Sequence, residues 1–327
     1  MRPPRFWDAG PDHPAARLLA PLGAAYGRLT AARMDRAGAK GPCPVLCLGN
    51  FTLGGAGKTP TAIALAAMLR ETGRRPAFLS RGYGGRLRGP VAVDPARHGA
   101  ADVGDEPLLL VRHAPTIVSR DRVAGAALCA AEGADVIVMD DGLQNPSLAK
   151  DLSLAVADAG AGIGNGLPFP AGPLRVPLPR QWRHVGGLVL VGDGEAGEAV
   201  AAQALRRGLP VHRGRLVPQG DGIAGRRFLA FAGIGRPEKF FATLAEAGAV
   251  LAGTRAFPDH HAFREKDLAG LAAAADGLGA ELVTTEKDAV RLPASFLGRV
   301  RVLPVRLRFT EEEPVRTQLQ GLREDAP

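Results

Sequence analysis

Short apolar runs punctuate the first half of the chain at residues 45–48, 76–80, 116–119, 136–139 and 152–156. Such runs, without polar alternation, mark strands buried on both faces, and the stretches between some of them, such as 121–132, read as helices. This alternation predicts an α/β fold with a parallel sheet, right-handed crossovers and ligands at the C-terminal strand ends. A second series begins near Arg227: a strand at 228–232, a helix at 237–247, a short strand at 250–251, a helix at 264–275 and a strand at 281–284. It predicts a smaller α/β domain, joined to the first through the polar, glycine-rich residues 214–227 and closed by a strand or ribbon at 300–309. Ahead of both, residues 15–34 read as a helix with Leu18, Leu22, Tyr26 and Leu29 on one face and Arg17 and Arg28 roughly opposite. That stripe suits either packing onto the protein's own core or lying on a membrane, and Pro21 predicts a kink or a late start. The expected division is therefore 1–35 for the helical leader, 36–220 for the large domain and 221–327 for the small one.

Composition narrows the partners. The chain has 327 residues, 46% hydrophobic and 23% charged, and no apolar stretch approaches the roughly 20 residues that cross a bilayer. A net charge of +8 favours anionic ligands such as nucleotides or phospholipid headgroups. Nucleic acid is not expected, since helix-turn-helix and zinc patterns are lacking and aromatics make up only 5%. Cys43, Cys47 and Cys129 form neither a disulfide framework nor a metal-binding pattern and read as reduced thiols of a cytoplasmic protein. The N-terminus lacks the apolar core and cleavage site of an export signal.

Between the first apolar run and a helical run at 61–69 lies a glycine-rich loop containing Thr52, Gly54, Gly55, Ala56, Gly57, Lys58 and Thr59. Strand, loop, Gly-Lys-Thr and helix in that order make a triphosphate-binding P-loop: backbone N–H groups and the helix N-terminus take phosphate oxygens, Lys58 reaches the β- and γ-phosphates, and Thr59 holds Mg²⁺. Thr52 stands where the usual pattern has glycine, and Gly54 and Gly55 supply the flexibility. Asp140 and Asp141 end the run at 136–139, which makes them a Walker-B-like metal site beside Thr59. Ser80, Arg81 and Tyr83 follow the second strand and suit an anionic or sugar ligand. Asp105 opens a helix, as its cap or as a catalytic base. Residues 165–175 form a rigid loop from Asn165 to the cation Arg175, and His260 with His261 interrupts the second α/β series, suited to proton transfer or to a surface loop.

In this order the motifs resemble the tetraacyldisaccharide 4′-kinases of lipid A synthesis. The resemblance rests on Phe6-Trp7, residues 19–22, 54–60, 80–84, 104–107, 140–144, 170–175, 257–261 and 284–288, nearly the whole length. It implies a P-loop NTPase-type sheet domain and a smaller α/β domain joined by a short β linker, with the active site between them. It implies an ATP- and Mg²⁺-dependent phosphotransferase acting on an alcohol acceptor, the 4′-hydroxyl of a lipid disaccharide 1-phosphate. By motif, Lys58 and Thr59 would serve phosphates and metal, Asp140 and Asp141 the metal, and Asp105 paired with His260 the acceptor hydroxyl. Thr52, Gly54, Gly55, Ala56 and Gly57 would line the nucleotide, and Ser80, Arg81, Tyr83, Asn165 and Arg175 the substrate. The helix at 15–34 would lie on the cytoplasmic side of the inner membrane; no protein partner is named. Two positions depart from the pattern: Val176 replaces a usual Glu, and Asn145 a usual His. The competing reading is a membrane-associated P-loop switch or scaffold, which needs no base aimed at an acceptor.

Overall fold

A computed structural model describes residues 4–220 and 222–322. A short 3-10 turn, Arg5–Trp7, leads into α1 (Pro14–Met34). The first unit then runs β1 (Val45–Gly49), α2 (Lys58–Glu71), β2 (Pro76–Ser80), β3 (Val91–Ala92), α3 (Ala100–Val103), α4 (Asp105–Leu110) and β4 (Thr116–Val118). It continues with α5 (Arg122–Ala131), β5 (Val136–Met139), β6 (Leu152–Asp158), α6 (Leu178–Trp182), β7 (Gly187–Val191), α7 (Glu195–Leu205) and β8 (Val211–Pro218). The second unit runs β9 (Arg227–Ala232), α8 (Pro237–Glu246), β10 (Val250–Ala256), α9 (Glu265–Leu278), β11 (Glu281–Thr285), α10 (Glu286–Ala289), α11 (Ala294–Leu297) and β12 (Val300–Leu303). The chain then returns to the first unit with β13 (Val305–Phe309) and α12 (Glu313–Gln320).

The large sheet has nine strands in the order β13-β8-β7-β6-β1-β5-β2-β4-β3, and the small one has four in the order β10-β9-β11-β12. All pairings in the large sheet are parallel except those of the two edge strands, β13 with β8 and β3 with β4. The small sheet is parallel throughout. Period-two alternation distributes each central strand over two cores. Leu46 and Leu48 of β1 join Val136 and Val138 of β5 under α2, while Val45 and Cys47 join Ile137 and Met139 under α5. β1 lies between β6 and β5, where the order of connections reverses, so the loop leaving it opens onto the switch-point crevice.

Three expectations change. Residues 214–218 belong to β8, not to a linker, and β13 pairs with them antiparallel. The last strand therefore lies in the large sheet, and Leu307, Phe309, Val315, Leu319 and Leu322 pack in the core under α2. A boundary that assigns everything after 220 to the small unit misses this return, whose cause is a non-local strand pairing. The expected short strand at 250–251 runs to Ala256 along β9, with a register shift between Leu251 and Gly253.

α1 docks through its small residues. Ala16, Gly23, Gly27, Ala31 and Met34 are buried, whereas Leu18, Leu22 and Leu29 are 80%, 61% and 75% exposed. A Cβ on Gly23 would lie 2.8 Å from the Pro168 carbonyl oxygen and 3.1 Å from Ala171 Cβ, so glycine sets the approach of this helix to the 168–171 loop. Gly23→Val should therefore lower stability by about 1–3 kcal/mol, as overpacking does, and speed tryptic cleavage within α1. Leu18→Ser should leave both the urea midpoint and the cleavage rate unchanged. A Gly23→Val protein as stable and protease-resistant as the parent would show that the helix does not dock this way.

Candidate active site

The loop leaving β1 turns into α2 through Gly54 (φ 111°) and Gly57 (φ 84°), the latter as helix N-cap. Both lie in the left-handed region, where a Cβ is costly, so these two glycines are what allow the loop to wrap an anion. Lys58, the first residue of α2, sends Nζ to 3.1 Å from Asn50 Oδ1 and 3.6 Å from Asp141 Oδ1. Asn50 is itself fixed by donating to the Gly54 carbonyl at 2.9 Å. Lys58 is thus held over the ends of β1 and β5, facing a cleft of about 720 Å³ lined by residues of both units.

The two aspartates that end β5 have unequal surroundings. Asp141, at φ 52°, receives Arg175 Nη1 on Oδ2 at 3.0 Å and faces Lys58. Burial pushes its carboxyl up, but Lys58 and Arg175 outweigh that and leave it below the ordinary 3.8. Asp140 is buried with neither oxygen hydrogen-bonded. Burial, then the nearby charges of Glu106 and Asp141, push it up to about 7, against the pull of Lys58 and Arg122. Among the described residues no group of three His, Cys, Asp or Glu is placed to hold a metal. The unpaired oxygens of Asp140, with Asp141 and the Thr59 hydroxyl on the same cleft, nevertheless fit a small hard cation that takes its other ligands from phosphate and water.

Across the cleft, the loop between β10 and α9 brings His260 against α4. His260 Nδ1 lies 3.0 Å from Asp105 Oδ2, and Arg291 Nε lies 3.6 Å from the same oxygen. Asp105 Oδ1 accepts the Glu106 N–H at 3.0 Å, so Asp105 is a helix-opening residue and an ion-pair partner at once. Burial raises its carboxyl, but His260, Lys287 and Arg291 outweigh that and hold it below 3.8. Asp105 is only 4% exposed and does not line the cleft; His260 does. Within the pair the imidazole is therefore on the cleft side and the carboxylate behind it. His260 has φ 57°, which turns it away from its neighbour. His261 stacks on Phe257 and pairs with Asp267 at 3.0 Å.

Ser80, Arg81, Tyr83, Arg175 and the loop from Gly54 to Thr59 all line the cleft. Thr52 and Asn165 do not. Thr52 bridges to Leu174 and gives its carbonyl to Arg175 Nε at 3.1 Å, while Asn165 binds the Ala171 carbonyl at 2.9 Å and accepts on no ligand-facing side. Their polarity ties loops together. Arg122, Glu106, Lys287, Arg236 and Lys239 also line the cleft and went unassigned from sequence. Glu106 and Lys287 at least sit inside motifs already singled out, whereas nothing local marks Arg236 or Lys239, which meet Asp158 from the second unit. Burial raises the Cys47 and Cys129 thiols to about 11 and about 12, and none of the three cysteines is in a disulfide, as expected of inert core thiols.

A family model described as tetraacyldisaccharide-1-P 4′-kinase matches residues 15–323. A tetraacyldisaccharide 4′-kinase of Methylobacterium radiotolerans is 72% identical over 321 residues, 98% of each chain. One from Rhodopseudomonas palustris is 55% identical over 97% of this chain and 95% of its own. The crystal structure of LpxK from Aquifex aeolicus in complex with ATP superimposes with a TM-score of 0.73 at 24% identity, covering 94% of this chain and 99% of that one.

Asp140 has a consequence for stability. Its folded pKa near 7 exceeds the ordinary 3.8, so the native state retains a proton that the unfolded chain releases. Stability is therefore lost as pH rises from about 4 to 7, and the penalty stays in full above that. In metal-free buffer at pH 8, Asp140→Asn should melt at a higher temperature than the parent, and the two should converge below pH 4. A lower melting temperature for Asp140→Asn at pH 8 would mean that the carboxylate has a partner.

Proposed function

The chain belongs to the tetraacyldisaccharide-1-P 4′-kinase family, and we propose on that premise that it transfers the γ-phosphoryl group of ATP to the 4′-hydroxyl of a tetraacyldisaccharide 1-phosphate. The observation that carries the reading is the pair completed across the cleft. Lys58 and the glycine loop stand on the large unit, and His260 of the small unit reaches Asp105 from the far side of the same cavity. A nucleotide switch has no need of an imidazole–carboxylate pair facing its triphosphate site.

Phosphoryl transfer relies mainly on positioning and charge stabilisation. The backbone N–H groups of residues 54–59 and the N-terminus of α2 would take the phosphate oxygens, with Lys58 moving from Asn50 and Asp141 to the β- and γ-phosphates. Arg122 and Arg81 add positive charge along the cleft. Thr59, Asp140 and Asp141 would hold Mg²⁺, which when bound neutralises charge on the β- and γ-phosphates. Val176 is buried among Leu174 and Trp182 and contributes no ligand. The 4′-hydroxyl would displace Lys287 Nζ from His260 Nε2 and give its proton to that nitrogen, while Asp105 would hold the ring and balance the charge that forms. Ser80, Tyr83 and Arg175 would contact the acceptor.

The acceptor is a lipid, and α1 supports a peripheral membrane reading. Its exposed leucines point away from the protein, while Tyr26, Thr30 and Arg33 of the same helix line the cleft. No helix among the described residues is long and apolar enough to cross a membrane. The helix would rest on the cytoplasmic face of the inner membrane and pass the disaccharide headgroup to the site.

Labelled γ-phosphate should pass from ATP to a lipid disaccharide 1-phosphate, and ATP consumption should depend on acceptor. Hydrolysis indifferent to acceptor would favour the switch. Lys58→Ala should nearly abolish transfer in a folded protein. His260→Ala and Asp105→Ala should each lower kcat by roughly 10²–10⁴, and the double variant should be little worse than the worse single because the two act as a unit; additive losses would dissolve the pair. Leu18→Asp with Leu22→Asp should reduce liposome binding and raise KM for the lipid far more than KM for ATP. Unchanged liposome binding would remove α1 from the membrane.

A further inference from the structure

His260 is approached from both ring nitrogens. Nδ1 faces Asp105 Oδ2 at 3.0 Å, while Nε2 faces Lys287 Nζ at 3.3 Å and Asp259 Oδ1 at 3.8 Å. Lys287 comes from α10 and is anchored by Glu106 Oε1 at 3.2 Å. An ammonium carries donors and no acceptor, so the ring nitrogen facing it has to present its lone pair. The ring proton is thereby assigned to Nδ1, where a carboxylate stands ready to accept it.

We propose that Lys287 is a positioning residue that fixes His260 as the neutral Nδ1–H tautomer and keeps Nε2 unprotonated. The inference rests on His260 being the group that accepts the proton of the 4′-hydroxyl, and it assigns a role to a lysine that does no chemistry itself.

The charges around the ring show why such a residue is needed. Asp105 faces it from α4, Asp259 from its own loop and Lys287 from α10, with Glu106 behind the lysine and Arg291, in the turn after α10, behind Asp105; Tyr83 lays its ring against the imidazole at 5.4 Å. Arg291 is engaged by Asp288 at 2.7 Å as well as by Asp105. Without Lys287, the carboxylates of Asp105 and Asp259 would draw a second proton onto the ring, and an imidazolium cannot serve as a base. In the resting site an imidazolium would also turn an N–H toward an ammonium 3.3 Å away, setting two donors of like charge against each other, and the ring takes a proton only once the acceptor hydroxyl replaces the lysine at Nε2. Burial alone would favour neutral Lys287, but Glu106, Asp105 and Asp259 hold it charged and raise it above the ordinary 10.5. The carboxylates thus keep the lysine protonated, and the lysine keeps the histidine unprotonated.

The test is a long-range ¹H–¹⁵N spectrum of full-length protein labelled at histidine, with His260 assigned by its loss in His260→Ala. At pH 7 the parent should show a protonated Nδ1 and a pyridine-like Nε2. In Lys287→Met the His260 ¹⁵N shifts at pH 7 should lose the pyridine-like Nε2 signal and move toward those of a doubly protonated ring. The acid limb of kcat/KM should move with them, and Lys287→Arg should restore most of both. An Nε2–H tautomer or an imidazolium in the parent at pH 7 would overturn the proposal, as would a Lys287→Met protein that loses rate with its His260 ¹⁵N shifts and pH profile unmoved. If Lys287→Met does not fold, the spectrum of the parent decides alone. A His260→Ala enzyme with full activity would refute the catalytic reading while leaving the tautomer measurement to stand or fall separately.

Discussion

Asp140 ends a strand buried on both faces, and its two oxygens find no donor among the groups around them. A carboxylate in that position costs free energy in the empty protein, and the sheet tolerates it because the neighbouring strands make the alternative worse. β5 lies between β1 and β2, with Val136 and Val138 on one side and Ile137 and Met139 on the other, so the strand cannot slip by a residue without turning four core side chains toward the wrong layers. The register that buries those four delivers Asp140 and Asp141 to the crevice beside the β1 loop. Lys58 and Arg175 then neutralise Asp141 and leave Asp140 free. A site that is costly when empty gains affinity for a cation accordingly, which is how stability is exchanged for function at such positions.

The second unit meets the first mainly through charge. Asp158 at the end of β6 receives Arg236 and Lys239, Asp105 receives His260 and Arg291, Glu106 receives Lys287, and Glu286 pairs with Arg306 at 3.1 Å. These contacts surround the cleft and involve several partly exposed groups; the main hydrophobic clusters stay within each unit, and Val290 of the second unit packs onto the cluster of Val103 and Leu108 in the first. Partly exposed ion pairs contribute little net stability each, so they specify how the halves face each other at low energetic cost. Several cations in the ring are also the groups that an incoming triphosphate would attract.

What was legible in the sequence is what is encoded locally. Strand, loop and helix around Lys58 announce themselves because glycine, lysine and apolar periodicity occur within a few residues, and the apolar runs of β2, β4, β5 and β6 are equally local. β7 and α7, although continuous in sequence, went unread because no motif drew attention to them. β13 reads as a closing strand of the small unit rather than an edge of the large sheet, since its partner β8 lies some ninety residues upstream and antiparallel pairing leaves no trace in either strand alone. The same holds within the site. The Asp105–His260 partnership came through family resemblance, not through spacing, and only the fold shows that His260 borders the cleft while Asp105 is buried behind it. Thr52 and Asn165 sit in polar, glycine-rich loops that look like ligand loops, yet the Thr52 carbonyl accepts from the Arg175 side chain and the Asn165 amide donates to the Ala171 carbonyl.

The leader helix shows how one apolar stripe can mislead and then inform. Leucines at helical spacing suggest a buried face, but the face that docks is the one with Gly23, Gly27 and Ala31, because the Pro168, Ala171 and Pro177 wall comes too close for any larger side chain. Small-residue docking frees the leucines from structural work and fixes the angle at which they leave the surface. Tyr26 stands between the two faces, its ring packed edge-on to Phe169 at 5.6 Å while it also borders the cleft. A lipid held along the leucines would therefore have its headgroup at Tyr26, Thr30 and Arg33, within the same cavity as Lys58 and His260. On the proposed membrane reading, the docking of α1 against the 168–177 loop would set where a membrane-bound acceptor meets the phosphate site, and the glycines that permit that docking would bear on substrate delivery without touching substrate.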